Sequence, residues 1–155
     1  MSILQNSFDI AKDSAVEIWS LVGAQYINNN DVLHPVELKV QKSISTFSLN
    51  ARRVLESFDK STKFGLKNKC WSPTGNIDES KIELDLWNAL NLIVHANSFE
   101  VVFEHLPDHL SYISEDNKVV SYVQVSTDRR SGIYVDPFSM AYSFLSEVQA
   151  RYKNA

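Results

Sequence analysis

"ESKIELDLWNALNLIVHANSFEVVFEH", residues 79–105, decides how this chain is read. Leu86, Leu90, Ile93, Val94 and Val101 give it a broad apolar face, and Pro107 stops the pattern, because its ring cannot continue a helix. The stretch predicts a helix from Glu79 to about His105. Asp78 is its expected N-cap, although Lys81 stands where the capping box would place Glu. Asn88, Asn91 and His95 are spaced three and four apart and so share one face of that helix, with Leu84 a turn earlier. A polar group buried without a partner costs about 1–3 kcal/mol. The three are therefore expected either as satisfied core or interface polars, or as the wall of a partly shielded groove or subunit contact.

Towards the N-terminus, Phe8, Ala11, Ala15, Ile18, Trp19, Val22 and Tyr26 recur at helical steps and predict a helix over about 7–27, ended by "NNND" at 28–31. Ile44, Phe47, Ala51, Val54 and Phe58 continue the same stepping after Pro35 and predict a second helix over about 36–58. Residues 59–77 hold Gly65, Pro73 and Gly75 and read as a basic connecting loop anchored by Phe64 and Trp71. Beyond Pro107 the period moves towards two. "LSYIS", "VVSYVQVST" and "IYV", separated by "EDNK" and "DRRSG", predict a three-stranded antiparallel meander. Asp136 followed by Pro137 predicts a last helix carrying Phe138, Ala141, Tyr142, Leu145, Val148 and Tyr152 on its buried stripe. The expected architecture is α+β within one domain: a bundle of three long helices over 1–106, then a β-meander and a C-terminal helix over 107–155.

With 155 residues, 44% hydrophobic and 22% charged, the chain has the composition of a globular domain able to bury a core without staples. A formal charge of −4 supplies no general attraction for phosphate backbones, so any contact with nucleic acid needs a local basic patch. The single Cys70 cannot form an internal disulfide, and "MSILQNSFDIAKD" lacks the basic and apolar regions of an export leader, which predicts a cytoplasmic protein. No apolar run is long enough for a membrane span. Neither a Gly-rich phosphate loop, a GxSxG elbow, a Cys pair nor HExxH occurs, so no cofactor is expected. His105 and His109 are four apart, but Pro107 between them breaks the geometry a shared metal would need. Arg129 and Arg130 fall at the predicted hairpin tip. There they serve solubility or touch phosphate or an acidic partner, with Lys60, Lys63, Lys67 and Lys69 able to extend a patch.

A long amphipathic helix, a second helix with the basic segment "NARR" ending in Arg52 and Arg53, and a later helix bearing Asn91-x3-His95 together resemble the HEPN superfamily of small helical domains, over about residues 7–105. The resemblance implies a homodimer, a bacterial defence or toxin–antitoxin setting, and in active members metal-independent RNA cleavage. That cleavage uses an arginine, a polar residue directly after it, and a histidine four to six positions on. Here His95 matches the histidine and Asn88 or Asn91 the polar residue, while Trp87 or Leu90 stands where the arginine belongs. Two classes of function follow. The first is an interaction module with an incomplete cleavage motif, in which apolar side chains or a partner subunit enclose His95. The second is a divergent ribonuclease in which Arg52 or Arg53 supplies the guanidinium from the second helix, and there His95 and that arginine share an open groove. A third reading places the work in the strand–helix appendage, where a sheet edge or the hairpin tip engages another protein while the bundle serves as a dimerising platform, and an exposed apolar patch beside Tyr112, Tyr122 and Tyr134 favours it.

Overall fold

A helix with one apolar stripe is stable only when that stripe is covered, and the first two helices cover each other. In the computed structural model, which describes residues 2–66, 77–113 and 116–154, α1 spans Ile3–Val22 and α2 spans Asn30–Leu55. Arg53 reaches Ser7 while Ser43 reaches Glu17, so the two helices run antiparallel. Phe8, Ala15, Ile18, Val40, Ile44 and Phe47 are buried between them. Most of each stripe read from the sequence is buried as expected, but Trp19 is 39% exposed, Tyr26 belongs to a two-residue strand after α1, Phe58 lies beyond the end of α2, and the boundaries move. The Asn29 side chain accepts from the Asp31 N–H and caps α2, so "NNND" begins the second helix rather than merely ending the first. Pro35 lies inside that helix, where one backbone hydrogen bond is forgone.

The third helix is the main departure. α3 is only Leu86–Val94, nine residues, and the remainder of the expected helix is a strand, β2, spanning Ser98–His105. Asp85 caps α3 by accepting from the Asn88 N–H, while Asp78 caps a single tight turn over Glu79–Lys81. The expected bundle of three long helices is therefore a pair of long helices and one short one. The fold is mixed helix and sheet, as the α+β reading requires.

The sheet is built around β3, Asn117–Ser126. β2 runs antiparallel along one edge of it, from Ser98 opposite Ser126 to His105 opposite Lys118, with an irregularity between Val102 and Phe103. The other edge is shared by β1 (Tyr26–Ile27), opposite Lys118 and Asn117, and β4 (Ile133–Val135), opposite Val125 to Val123. Strands from both sides of residue 106 thus join one sheet, and Val120, Val123 and Val125 close onto the same core as the helices. Residues 110–113, the described part of "LSYIS", form no strand. Asp108–Leu110 is a tight turn, and Tyr112 stands 89% exposed. Trp71 and Cys70, with Lys67 and Lys69, lie outside the described residues.

The chain closes with α4 (Pro137–Ser143), a wider π turn over Phe144–Val148, and α5 (Gln149–Asn154). Asp136 caps α4, and its carboxylate accepts from the Ser139 N–H and hydroxyl at 3.0 and 3.1 Å. Burial pushes that carboxyl up from its ordinary 3.8 to about 7, against the lowering effect of those hydrogen bonds. Phe144, absent from the stripe read in the sequence, is fully buried, with its ring edge-on to Phe47 at 5.5 Å and 5.8 Å from Phe8. Phe138 and Tyr142, placed on that stripe, instead pack half-buried against Trp19.

Candidate functional site

Asn88, Asn91 and His95 do share one side of α3, and that side forms a wall of an open groove. His95 is exposed and serves as the C-cap residue, so it closes the helix instead of lying within it. Its backbone N–H still bonds to the Asn91 carbonyl at 3.0 Å. Leu92 contributes the apolar part of the wall. The facing wall comes from the β3–β4 hairpin, from Thr127, Asp128, Arg129 and Arg130, and the space between is about 570 Å³.

The hairpin is made by its own turn residues. The Thr127 hydroxyl accepts from the N–H groups of Arg129 and Arg130, and the Thr127 N–H donates to the Arg130 carbonyl at 2.7 Å. Gly132 takes the left-handed conformation at φ 64°, and its N–H donates to the Ser126 hydroxyl. Two contacts then fix the tip against α3. Arg130 Nη1 donates to Glu83 Oε1 at 2.7 Å, and Glu83 Oε2 accepts from the N–H groups of Leu84 and Asp85 directly before the helix. Directly after the helix, Asn97 Nδ2 donates to Asp128 Oδ1 at 2.5 Å while the Asn97 N–H donates to the Ser126 carbonyl.

This arrangement sorts the groove's charges. Arg130 is neutralised by Glu83, and the carboxylate of Asp128 takes the amide of Asn97. The guanidinium of Arg129 has no hydrogen-bond or ion-pair partner among the described residues, although its backbone is fixed by Thr127. On the opposite wall, Asn91 Oδ1 is enclosed and accepts no hydrogen bond. The groove thus offers one unpaired guanidinium, an imidazole and amide groups, beside the Asp128 carboxylate, whose charge the Asn97 amide does not cancel, a set too weakly cationic for a polyanion.

Arg52 and Arg53, the arginines expected to meet His95, do not line this groove. The guanidinium of Arg52 sits 5.5 Å from the centre of the Trp87 ring, and its Nε lies 3.7 Å from Glu56 Oε1. Arg53 turns the other way and donates to Ser7 on α1. The sequence reading had Arg129 and Arg130 at a hairpin tip but did not bring them to His95, and it gave no part to Glu83 or Asn97. The tyrosines do not form a patch either. Tyr122 is buried with its ring 6.2 Å from Tyr134, and Tyr112 stands apart in solvent.

His105 pairs through Nδ1 with Asp116 at 3.0 Å, and among the described residues no group of three His, Cys, Asp or Glu side chains is placed to hold a metal ion. No described helix is long and apolar enough to cross a membrane. No protein-family model, curated protein or solved structure matches the chain.

Proposed function

We propose that this chain is a HEPN-like interaction module, working as a homodimer in a bacterial defence or toxin–antitoxin setting, whose groove between α3 and the β3–β4 hairpin binds an anionic group of its partner. The observation that supports it is the charge arrangement of that groove. One guanidinium, Arg129, is available, while Arg130 is spent on Glu83 and the second-helix arginines face elsewhere. A site of this kind holds one anion but makes too few phosphate contacts for strong RNA affinity, and the chain's charge of −4 adds none.

The exposed His95 in the same groove as Arg129 favours a second reading, a metal-independent ribonuclease. There His95 takes the proton of an RNA 2′-hydroxyl as the oxygen attacks the adjacent phosphorus, Arg129, in place of Arg52 or Arg53, neutralises the charge that develops on the phosphoryl oxygens, and the P–O5′ bond breaks as the 5′-oxygen takes a proton from water. Purified protein and its His95→Ala variant, incubated with mixed RNA in the absence of divalent metal, separate the two. Equal and negligible turnover supports the module. Turnover that His95→Ala removes supports the enzyme. Sedimentation at twice the 17.6 kDa chain mass tests the homodimer.

A further inference from the structure

The loop after α2 is strapped to the start of α3. The Leu66 N–H donates to the Leu84 carbonyl at 2.8 Å and the Leu86 N–H to the Phe64 carbonyl at 2.9 Å, so that Gly65 pairs with Asp85. Before this strap the chain turns on itself. The Phe58 N–H bonds to the Leu55 carbonyl, the Thr62 N–H bonds to the Asp59 carbonyl, and the Asp59 carboxylate accepts from the N–H and hydroxyl of Ser61. Strap and turn hold between them a concave space of about 440 Å³, which shares no residue with the groove of the proposed function.

The walls of that space are apolar where a ligand can reach them. Leu55, Phe58 and Trp87 line it and are half-buried, so each still presents surface, while the buried Phe64 backs Phe58 with its ring edge-on at 5.5 Å. Arg52 lies over the Trp87 ring but does not line the space, so the indole is held by a contact outside it. Arg151 likewise stands over Phe64 and outside the lining. The charges around the space are of both signs. Glu56, Asp59 and Asp85 set carboxylates there and Lys60 and Lys63 set ammonium groups, with Glu56 paired to Arg52 at 3.7 Å. The N–H and then the hydroxyl of Ser61 hold the Asp59 carboxyl below its usual range, so its charge persists at neutral pH. An ion of either sign would meet a like charge beside each opposite one and would give up hydration to reach apolar walls. A flat uncharged ring gives up little and gains contact with Trp87 and Phe58.

We infer that this pocket binds an uncharged aromatic molecule of one or two rings, laid against Trp87 and Phe58, as a second site independent of the groove. Its volume falls towards the lower end of the range for small-molecule sites, about 300–1,000 Å³, which suits a ligand of that size.

The test titrates indole beside its charged relatives tryptamine and indole-3-acetate, and phenol beside cyclohexanol. All are added to the full chain at pH 7 and constant ionic strength while the Trp87 indole N–H and the backbone amide resonances are followed. The expected result is saturable movement of the Leu55–Phe64 and Asp85–Trp87 resonances, with indole binding about fivefold or more tighter than either charged relative and phenol tighter than cyclohexanol. Trp87→Ala should weaken indole binding about tenfold. Because Trp87 also supports Arg52, Thr62→Phe is the second variant. It fills the space from the turn and should abolish indole binding while the contact between Trp87 and Arg52 stays in place.

The inference is overturned if a charged relative binds as tightly as indole, if cyclohexanol matches phenol, if either folded variant binds indole as tightly as the unsubstituted chain, or if indole leaves these resonances where they were. The groove residues Asn91–His95 and Thr127–Arg130 report separately, so any of these results leaves the proposed function standing.

Discussion

The molecule carries two arginine doublets, and they are used in opposite ways. Arg52 and Arg53 lie on α2, where consecutive side chains point about 100° apart. One therefore packs over Trp87 of α3 and the other bonds to Ser7 of α1. Arg129 and Arg130 lie on a tight turn that sends both side chains to the same groove, and a single carboxylate, Glu83, engages only one of them. A doublet on a helix is divided between its neighbours and becomes part of the scaffold. A doublet on a clamped turn leaves a charge available.

That contrast can be broken or sharpened by substitution. The largest effect is expected where both doublets depend on the same element. Leu90 is fully buried on the side of α3 away from the groove, and Leu90→Ala should cost about 2–5 kcal/mol in denaturant unfolding, loosening Trp87 and the groove wall together. A loss confined to one of them would mean that α3 does not couple the two.

A pH response should come next, and it belongs to the sheet side of the molecule. The Asp136 carboxyl is raised from 3.8 to about 7 by burial, so between those values the folded chain keeps a proton that the unfolded chain has released. Its contribution therefore favours folding at the acidic end and is lost as pH rises through that window, by an amount on the order of a few kcal/mol. Asp136→Asn, which preserves a cap, should flatten the dependence of thermal stability on pH between about 4 and 7. A slope unchanged by the substitution would assign the response to other carboxylates.

The arginines themselves come after this. Arg129→Ala should reduce binding of the partner's anionic group about tenfold, near 1.4 kcal/mol, with the melting temperature unmoved. Arg52→Ala should do the reverse, costing about 1 kcal/mol in stability through the lost Trp87 contact while leaving anion binding intact. Arg53→Ala should be the smallest, within about 0.5 kcal/mol, since the Arg53 side chain is itself exposed and only the Ser7 end of its hydrogen bond is buried. Any of the helix arginines changing anion affinity as much as Arg129 does would erase the distinction between the doublets.

The sequence shows plainly what depends on helical stepping. Phe8 to Val22 and Ile44 to Val54 form the expected stripes, and Asp136–Pro137 begins a helix as the capping rules require. It also shows the Asn88–Asn91–His95 face, since a period of 3.6 is enough to align them. What it conceals is the break after His95. "SFEVVFEH" alternates Phe99, Val101 and Phe103 as a strand should, yet Phe99, Val102 and Phe103 also satisfy three- and four-residue steps, and the irregularity between Val102 and Phe103 spoils a clean alternation. The signal available is Asn97–Ser98, a turn-forming pair followed by β-branched and aromatic residues. Missing that strand hides the groove. Only when β2 lies antiparallel to β3, with Ser98 opposite Ser126, does the loop leaving α3 meet the hairpin that carries Arg129. The C-terminal stripe fails for a different reason. Ala141, Phe144 and Val148 are its fully buried line, at steps of three and four, and the stripe read from the sequence drifted off that line by taking the half-buried Phe138, Tyr142 and Leu145 and passing over Phe144.

β3 lies between β2 on one edge and both β1 and β4 on the other, so its amides are protected from two directions while its partners are protected from one. In deuterated solvent, labelling should begin at the two-residue β1 and reach Val123 and Val125, where β2 and β4 both pair, last. The groove hangs from the C-terminal end of that slowest strand, next to Ser126. An anion that tightens the hairpin should therefore register as slower labelling spreading from Val125 towards Arg130, with the α1–α2 pair exchanging as before.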